Sequence, residues 1–123
     1  MDQKAFYKLT YGLFLLTARE EGRDNGCIIN TAIQVANDPT RISIAAIKKN
    51  LTCEMILRTG QFNISALTTS APFSLFQRFG MQSGREVDKF NEFTQTARSE
   101  NGLLYLTGPS NAFFSARVTE YLD

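Results

Sequence analysis

Apolar and polar positions alternate along much of this chain, and changes in their period mark out a series of short elements. Asp2 ahead of Ala5, Phe6 and Leu9 predicts a short amphipathic N-terminal helix capped by the aspartate. Residues 12–19 turn apolar and read as a strand. The polar stretch 20–26 ends in Asn25-Gly26, a pair suited to φ > 0 and therefore to a hairpin turn. Residues 27–35, rich in β-branched Ile28, Ile29, Thr31, Ile33 and Val35, predict a second strand. Pro39 presets a turn over Asn37-Asp38-Pro39-Thr40. Residues 41–47 then alternate Ile42, Ile44 and Ala46 with Arg41, Ser43 and Ala45, the period of a third strand. Short turns between these three imply an antiparallel meander.

The middle of the chain changes period. Residues 50–59 read as a helix, with Asn50 as cap, Glu54 in the first turn and Gly60 just past the end. Phe62, Ile64 and Ala66 alternate with Asn63, Ser65 and Leu67 as a fourth strand. Pro72 opens another helix closed by Gly80, and its Phe73, Phe76 and Phe79 read as a packing face or as the wall of an aromatic-binding pocket or subunit interface. Residues 81–98 read as loop and helix. Residues 103–107, the Gly108-Pro109-Ser110-Asn111 turn, and Ala112, Phe114, Ala116 and Val118 predict a final hairpin. The expectation is a mainly β domain spanning residues 1–123: about six antiparallel strands in a small barrel with helical inserts. Closing a barrel removes the exposed edges that a small β protein must otherwise manage.

Composition narrows the chemistry more than it narrows the fold. The 123 residues include no histidine, which excludes Ser-His-Asp and Cys-His catalytic sets and any imidazole ligand for zinc. Cys27 and Cys53 stand too far apart for a Cys-x-x-Cys motif, and two lone cysteines suit half-buried free thiols in a reducing compartment. A net charge of +1 gives no long-range field for a nucleic-acid backbone. No apolar run approaches the ~20 residues that cross a bilayer, and the start Met1-Asp2-Gln3-Lys4 is unlike a signal peptide, so a cytoplasmic protein is expected.

Three polar clusters are candidates for binding. Lys48-Lys49-Asn50-Leu51-Thr52 lies where the third strand meets its helix, and a helix N-terminus offers free amides and partial positive charge to an anion. It reads either as a phosphate seat or as a capped helix behind a solvated charged corner. Asn30, Thr31 and Gln34 interrupt an apolar strand, and either face solvent or meet a ligand. In the third cluster, residues 82–90, Ser83-Gly84 permits close backbone approach while Arg85 and Lys89 supply cations; a plain surface loop fits the same residues. No carboxylate pair stands out for acid–base work. Any redox chemistry would then belong to a bound cofactor.

Several stretches taken in order resemble the flavin reductase-like FMN-binding family: Tyr11-Gly12-Leu13-Phe14-Leu15-Leu16-Thr17, Asn25-Gly26-Cys27-Ile28-Ile29-Asn30-Thr31, Asp38-Pro39, Lys49-Asn50-Leu51-Thr52, Gly60-Gln61-Phe62-Asn63-Ile64-Ser65, and the run from Phe79-Gly80 through Lys89-Phe90. Within the family, the chain is most similar to the flavin-reductase domains of rubredoxin-linked oxidoreductases. The resemblance implies a split β-barrel that binds FMN. It implies that Ile29, Asn30 and Thr31 follow the ring and ribityl chain, that Lys48, Asn50 and Thr52 hold the phosphate, and that Ser83, Gly84, Arg85 and Lys89 close over the flavin. It further implies hydride transfer from NADH or NADPH, an acceptor such as rubredoxin or free flavin, and a homodimer, with no catalytic side chain and no metal required. A flavin-holding electron carrier and a non-catalytic split-barrel subunit are the alternatives. The family pattern continues past the position of Asp123 with a Gly-rich, His-containing strand, so the chain is expected to lack the family's C-terminal strand or strands.

Overall fold

Strand β1 (Phe14–Glu20) has neighbours on both sides in its sheet, and its residues 15–18 are buried on both faces. The computed structural model describes residues 4, 5, 9 and 11–123, so the helix expected from Asp2 to Leu9 rests mainly on residues outside that set. Antiparallel β2 (Arg23–Ile29) and β5 (Gln61–Leu67) flank β1, and β8 (Ser110–Arg117) pairs with β5, giving the order β2-β1-β5-β8. Two further ribbons complete the β structure: β3 (Ala32–Asn37) with β4 (Thr40–Ile44), and β6 (Thr96–Arg98) with β7 (Leu104–Leu106). Helix α1 (Leu51–Thr59) precedes β5, and α2 (Phe73–Gly80) follows it.

The period of two along β1 and β5 divides the core. Leu16, Ala18, Phe62 and Ile64 face Met55 and Ile56 of α1, joined by Cys27 and Ile29 of β2 and by Ile42 and Ile44 of β4. Leu15 points the other way, to Leu75 and Phe79 of α2, Leu106 of β7 and the rings of Phe90 and Phe93. On that second face β1 and β5 also bury polar residues. Thr17 Oγ1 donates to the Leu104 carbonyl at 2.6 Å, Asn63 Nδ2 to the Leu103 and Leu104 carbonyls at 3.2 Å each, and Ser65 Oγ accepts from the Leu106 amide at 3.1 Å. Side chains thus hold the β6–β7 ribbon where no strand ladder reaches it, and Thr17, Asn63 and Ser65 each have a partner there.

Several sequence expectations are corrected. The described strands number eight, in three sheets, in place of about six. The first hairpin turns at Glu21-Gly22, both at positive φ (51° and 81°), and Asn25-Gly26 lies inside β2 opposite Ala18 and Thr17. Gly26 serves packing instead: a Cβ there would sit 3.3 Å from the Phe90 ring and 3.1 Å from the Leu16 carbonyl. The strand expected over 27–35 breaks at Asn30-Thr31, where Thr31 Oγ1 donates to Asn30 Oδ1, and β3 leaves for a separate ribbon. Residues 81–95 form turns with no helix, and 96–98 are a strand. The final hairpin does not form: β7 pairs with β6, and β8 with β5. Both cysteines are free, Cys27 buried and Cys53 half-buried. No helix among the described residues is long and apolar enough to cross a membrane.

The packing face of α2 also differs. Phe79 is fully buried beside Leu75, whereas Phe73 is 63% exposed. Positions i and i+4 share a helical stripe, but i and i+6 lie roughly 120° apart around the axis, so Phe73 and Phe79 cannot both face the core. Phe79→Ala is expected to cost ~3–5 kcal/mol in a urea titration and Phe73→Ala less than ~1 kcal/mol.

Asp24 closes the edge of β2. Arg98 donates to both its oxygens, at 2.9 and 3.0 Å, and Arg19 donates to it at 2.8 Å. Burial pushes the Asp24 carboxyl up, but the bonds from Arg98 and Arg19 outweigh it and hold the group below the usual aspartate value. A depressed folded-state value stabilises above the unfolded pKa and is lost as pH falls through the folded one. Asp24→Asn should therefore cost about 1 kcal/mol at pH 7, the arginines being partly exposed, and the deficit should shrink below about pH 4 in paired denaturation curves.

Candidate functional site

The N-terminus of α1 is built as the sequence predicts. Asn50 is extended (φ −71°, ψ 135°), and its Oδ1 accepts from the Thr52 amide at 2.8 Å, while Gly60 ends the helix in the left-handed region at φ 78°. The Asn50 carbonyl accepts from the Glu54 amide at 3.1 Å. The Leu51 and Cys53 amides belong to the first turn, where a helix provides no acceptor of its own. An exposed corner with Lys48 and Lys49 precedes them.

Thr52 is fully buried, and its hydroxyl accepts from Asn25 Nδ2 at 2.9 Å. Asn25, only 2% exposed, extends in phase with Cys27 and Ile29 from β2 towards α1. Its carboxamide also meets the 83–89 segment: a Cβ on Gly84 would lie 2.2 Å from Asn25 Oδ1, so the backbone reaches this depth only as glycine. Arg23 donates to the Gly84 carbonyl from the same strand. Ser83 Oγ accepts from the Arg85 amide at 3.1 Å, turning the chain so that the guanidinium crosses to α1. There Arg85 Nη2 donates to the Lys49 carbonyl at 3.0 Å and to the Glu54 carboxylate.

Lys49, Asn50 and Thr52 of the first cluster and Ser83, Gly84 and Arg85 of the third are thereby linked through direct contacts, although 31 positions separate Thr52 from Ser83. Lys48 adjoins them and pairs with Asp123; both are 70% exposed, which makes that pair weak. Lys89 goes elsewhere. It is 3% exposed, and its Nζ donates to the Gly26 carbonyl at 2.8 Å and the Phe79 carbonyl at 3.0 Å. Burial pushes its pKa below the usual lysine value, opposed by the nearby Cys27. In this arrangement it fastens the 83–89 segment to β2 and to the end of α2. Burial pushes the Cys27 thiol up, against a bond with Thr52 and the charge of Lys89, which leaves little thiolate for chemistry.

Ile29 contributes its side chain to the core, whereas Asn30 is exposed and Thr31 half-buried at the end of β2. Asn30 lines a recess of about 400 Å³ with Tyr11, Gly12, Leu13, Leu67, Thr68, Thr69 and Phe76. Three neighbours of the predicted set, Arg23, Asn25 and Glu54, carry no sequence signal that marks them as site residues. Asn25 does keep the phase of Cys27 and Ile29 once the turn is placed at Glu21-Gly22.

An antiparallel sheet, a capped helix N-terminus and a loop glycine packed against the neighbouring strand define a domain of the split-barrel kind. The chain belongs to the flavin reductase-like family: the family's flavin reductase like domain matches residues 6–123. It is 42% identical to the high molecular weight rubredoxin of Moorella thermoacetica over 123 residues, all of this chain and 53% of that protein. It is 32% identical to the ferric-chelate reductase (NAD(P)H) of Archaeoglobus fulgidus, again over the whole chain and 72% of the relative. The chain thus spans about half to three-quarters of the curated relatives it matches. An FMN-binding protein from Thermus thermophilus superposes with a TM-score of 0.82 at 25% identity, over 94% of this chain and 64% of that one.

Gly84→Ala is expected to lift the 83–89 segment off β2. Urea titration should show a loss of ~1–3 kcal/mol, the usual cost of an overpacked site, together with faster proteolysis within 83–89. An unchanged midpoint and cleavage rate would mean that the segment does not rest on Asn25.

Proposed function

We propose that this domain, residues 1–123, binds FMN and serves as a flavin-dependent oxidoreductase. The observation that carries the reading is the junction of α1 with the 83–89 segment, within a chain of this family. Free amides at Leu51 and Cys53, the cations of Lys48, Lys49 and Arg85, and the close backbone approach at Gly84 suit a phosphate monoester. Asn50 and Thr52 orient that end of the helix, and Ser83 sets the turn that aims Arg85. Ile29, Asn30 and Thr31 offer the adjoining strand end for the ribityl chain and ring. Lys89 acts by holding the segment in place.

When bound, FMN would supply hydride acceptance from NADH or NADPH and onward electron transfer to an acceptor such as a rubredoxin or free flavin. The side chains need only position and shield it, so the missing histidine is no obstacle. The names of two relatives, a high molecular weight rubredoxin and a ferric-chelate reductase (NAD(P)H), support this electron-transfer setting. A cytoplasmic homodimer completes the reading. Ile33 and Val35, 55% and 58% exposed on the β3–β4 ribbon, offer apolar surface for a second copy.

The protein should take up added FMN and turn yellow, and anaerobic NADH or NADPH should bleach it. Protein that stays colourless with FMN defeats the reading, and flavin that binds without bleaching reduces it to an electron carrier. Asn50→Ala, which removes the cap, and Thr52→Ala, which removes the bond to Asn25, should each weaken FMN binding by ~1 kcal/mol by disturbing the helix end, followed by quenching of flavin fluorescence. Unchanged affinity in both would move the phosphate elsewhere.

A further inference from the structure

The proposed phosphate seat carries acids of its own. Arg85 Nη2 is shared between the Lys49 carbonyl and the carboxylate of Glu54, which stands in the first turn of the same helix. Lys48, the other cation with a partner at this corner, is paired with Asp123. Two of the three cations available to a phosphoryl group are therefore already matched by carboxylates of this chain. A first-turn glutamate also favours the helix dipole, which explains an acid at position 54 but not its reach to Arg85.

Resting on the flavin reading above, we propose that Glu54 is a specificity-determining residue. It competes with the ligand's phosphoryl group for Arg85 and keeps flavin affinity low enough for exchange. The Arg85 and Glu54 side chains are 49% and 34% exposed, so their pair is weak and separates readily. Its carboxylate would also lie near an incoming phosphate, and the repulsion grows as the phosphate gains its second charge. The penalty falls only on ligands with a phosphoryl end, and is largest for the dianion. If Glu54 merely held Arg85 in place for the ligand, removing its charge would weaken binding; competition predicts the opposite sign.

The test compares the full-length chain with Glu54→Gln, and with Glu54→Asp as a variant that keeps the charge but shortens its reach. FMN, riboflavin and inorganic phosphate are the probes. Glu54→Gln should bind FMN about three- to tenfold more tightly at pH 8, through slower release. The gain should shrink at pH 5.5, below the second phosphate pKa of about 6. Riboflavin affinity should not change. Inorganic phosphate, a dianion at pH 8, should itself bind Glu54→Gln more tightly, by a factor similar to that for FMN. Glu54→Asp should fall between the two. Weaker or unchanged FMN binding in Glu54→Gln, or an equal gain for riboflavin, overturns the inference. Wild type that binds no FMN at all overturns the flavin reading and this inference with it.

Discussion

The carboxamide of Asn25 is the point at which strand β2, helix α1 and the 83–89 segment meet. Its Nδ2 bonds Thr52, and its Oδ1 faces the backbone of Gly84 at a depth no side chain could share. A buried amide is costly unless satisfied; Thr52 of the helix supplies a partner for Asn25 Nδ2, and the Gly84 backbone packs against the same carboxamide. Three distant parts of the sequence are thereby held in one relative position. The geometry of the candidate anion seat depends on that constraint more than on any surface charge.

Much of the architecture was legible because single residues carry unambiguous signals. Asn50 and Gly60 fix both ends of α1, and the alternation in residues 61–67 reports a strand with one face on each side of the core. Where reading failed, two physical explanations competed. Asn25-Gly26 has the composition of a turn, but Glu21-Gly22 took that role, leaving a polar residue and a glycine to be used inside the core. Asn30 and Thr31 have strand-like neighbours, yet their local bond ends β2 and sends β3 to another ribbon. The short strand at residues 96–98 has no period long enough to see, because it is positioned by Asp24 and by β7.

The candidate site divides in the same way. Its capped helix corner was visible locally, since a cap, a charge run and a helix start are sequence-adjacent features. That residues 83–85 face this corner came only through resemblance, because no spacing rule connects positions 31 apart. Lys89 shows the limit of residue type as a guide. A lysine in a glycine-containing loop supplies a cation, and the structure places its Nζ on the Gly26 and Phe79 carbonyls. The outcome depends on burial, which one chain's composition does not encode.

Stability is unevenly distributed along the 79–93 segment, and the distribution suits binding. Its ends are fixed by Phe79, Phe90 and Phe93, whose ring centroids stand 4.9–6.3 Å apart, and by the buried Nζ of Lys89. Its middle is exposed apart from Gly84, and is held by polar contacts from Arg23 and to Lys49 and Glu54. The contacts of Arg85 with Lys49 and Glu54 are exposed and exchange readily with water or an anion, whereas the aromatic cluster is lost only by unfolding. A segment so built can rearrange its polar centre around a phosphoryl group while its path across β2 is preserved. Rigidity at the ends with exchangeable charge in the middle is therefore what would let one loop serve both as part of the core and as a wall of the proposed site.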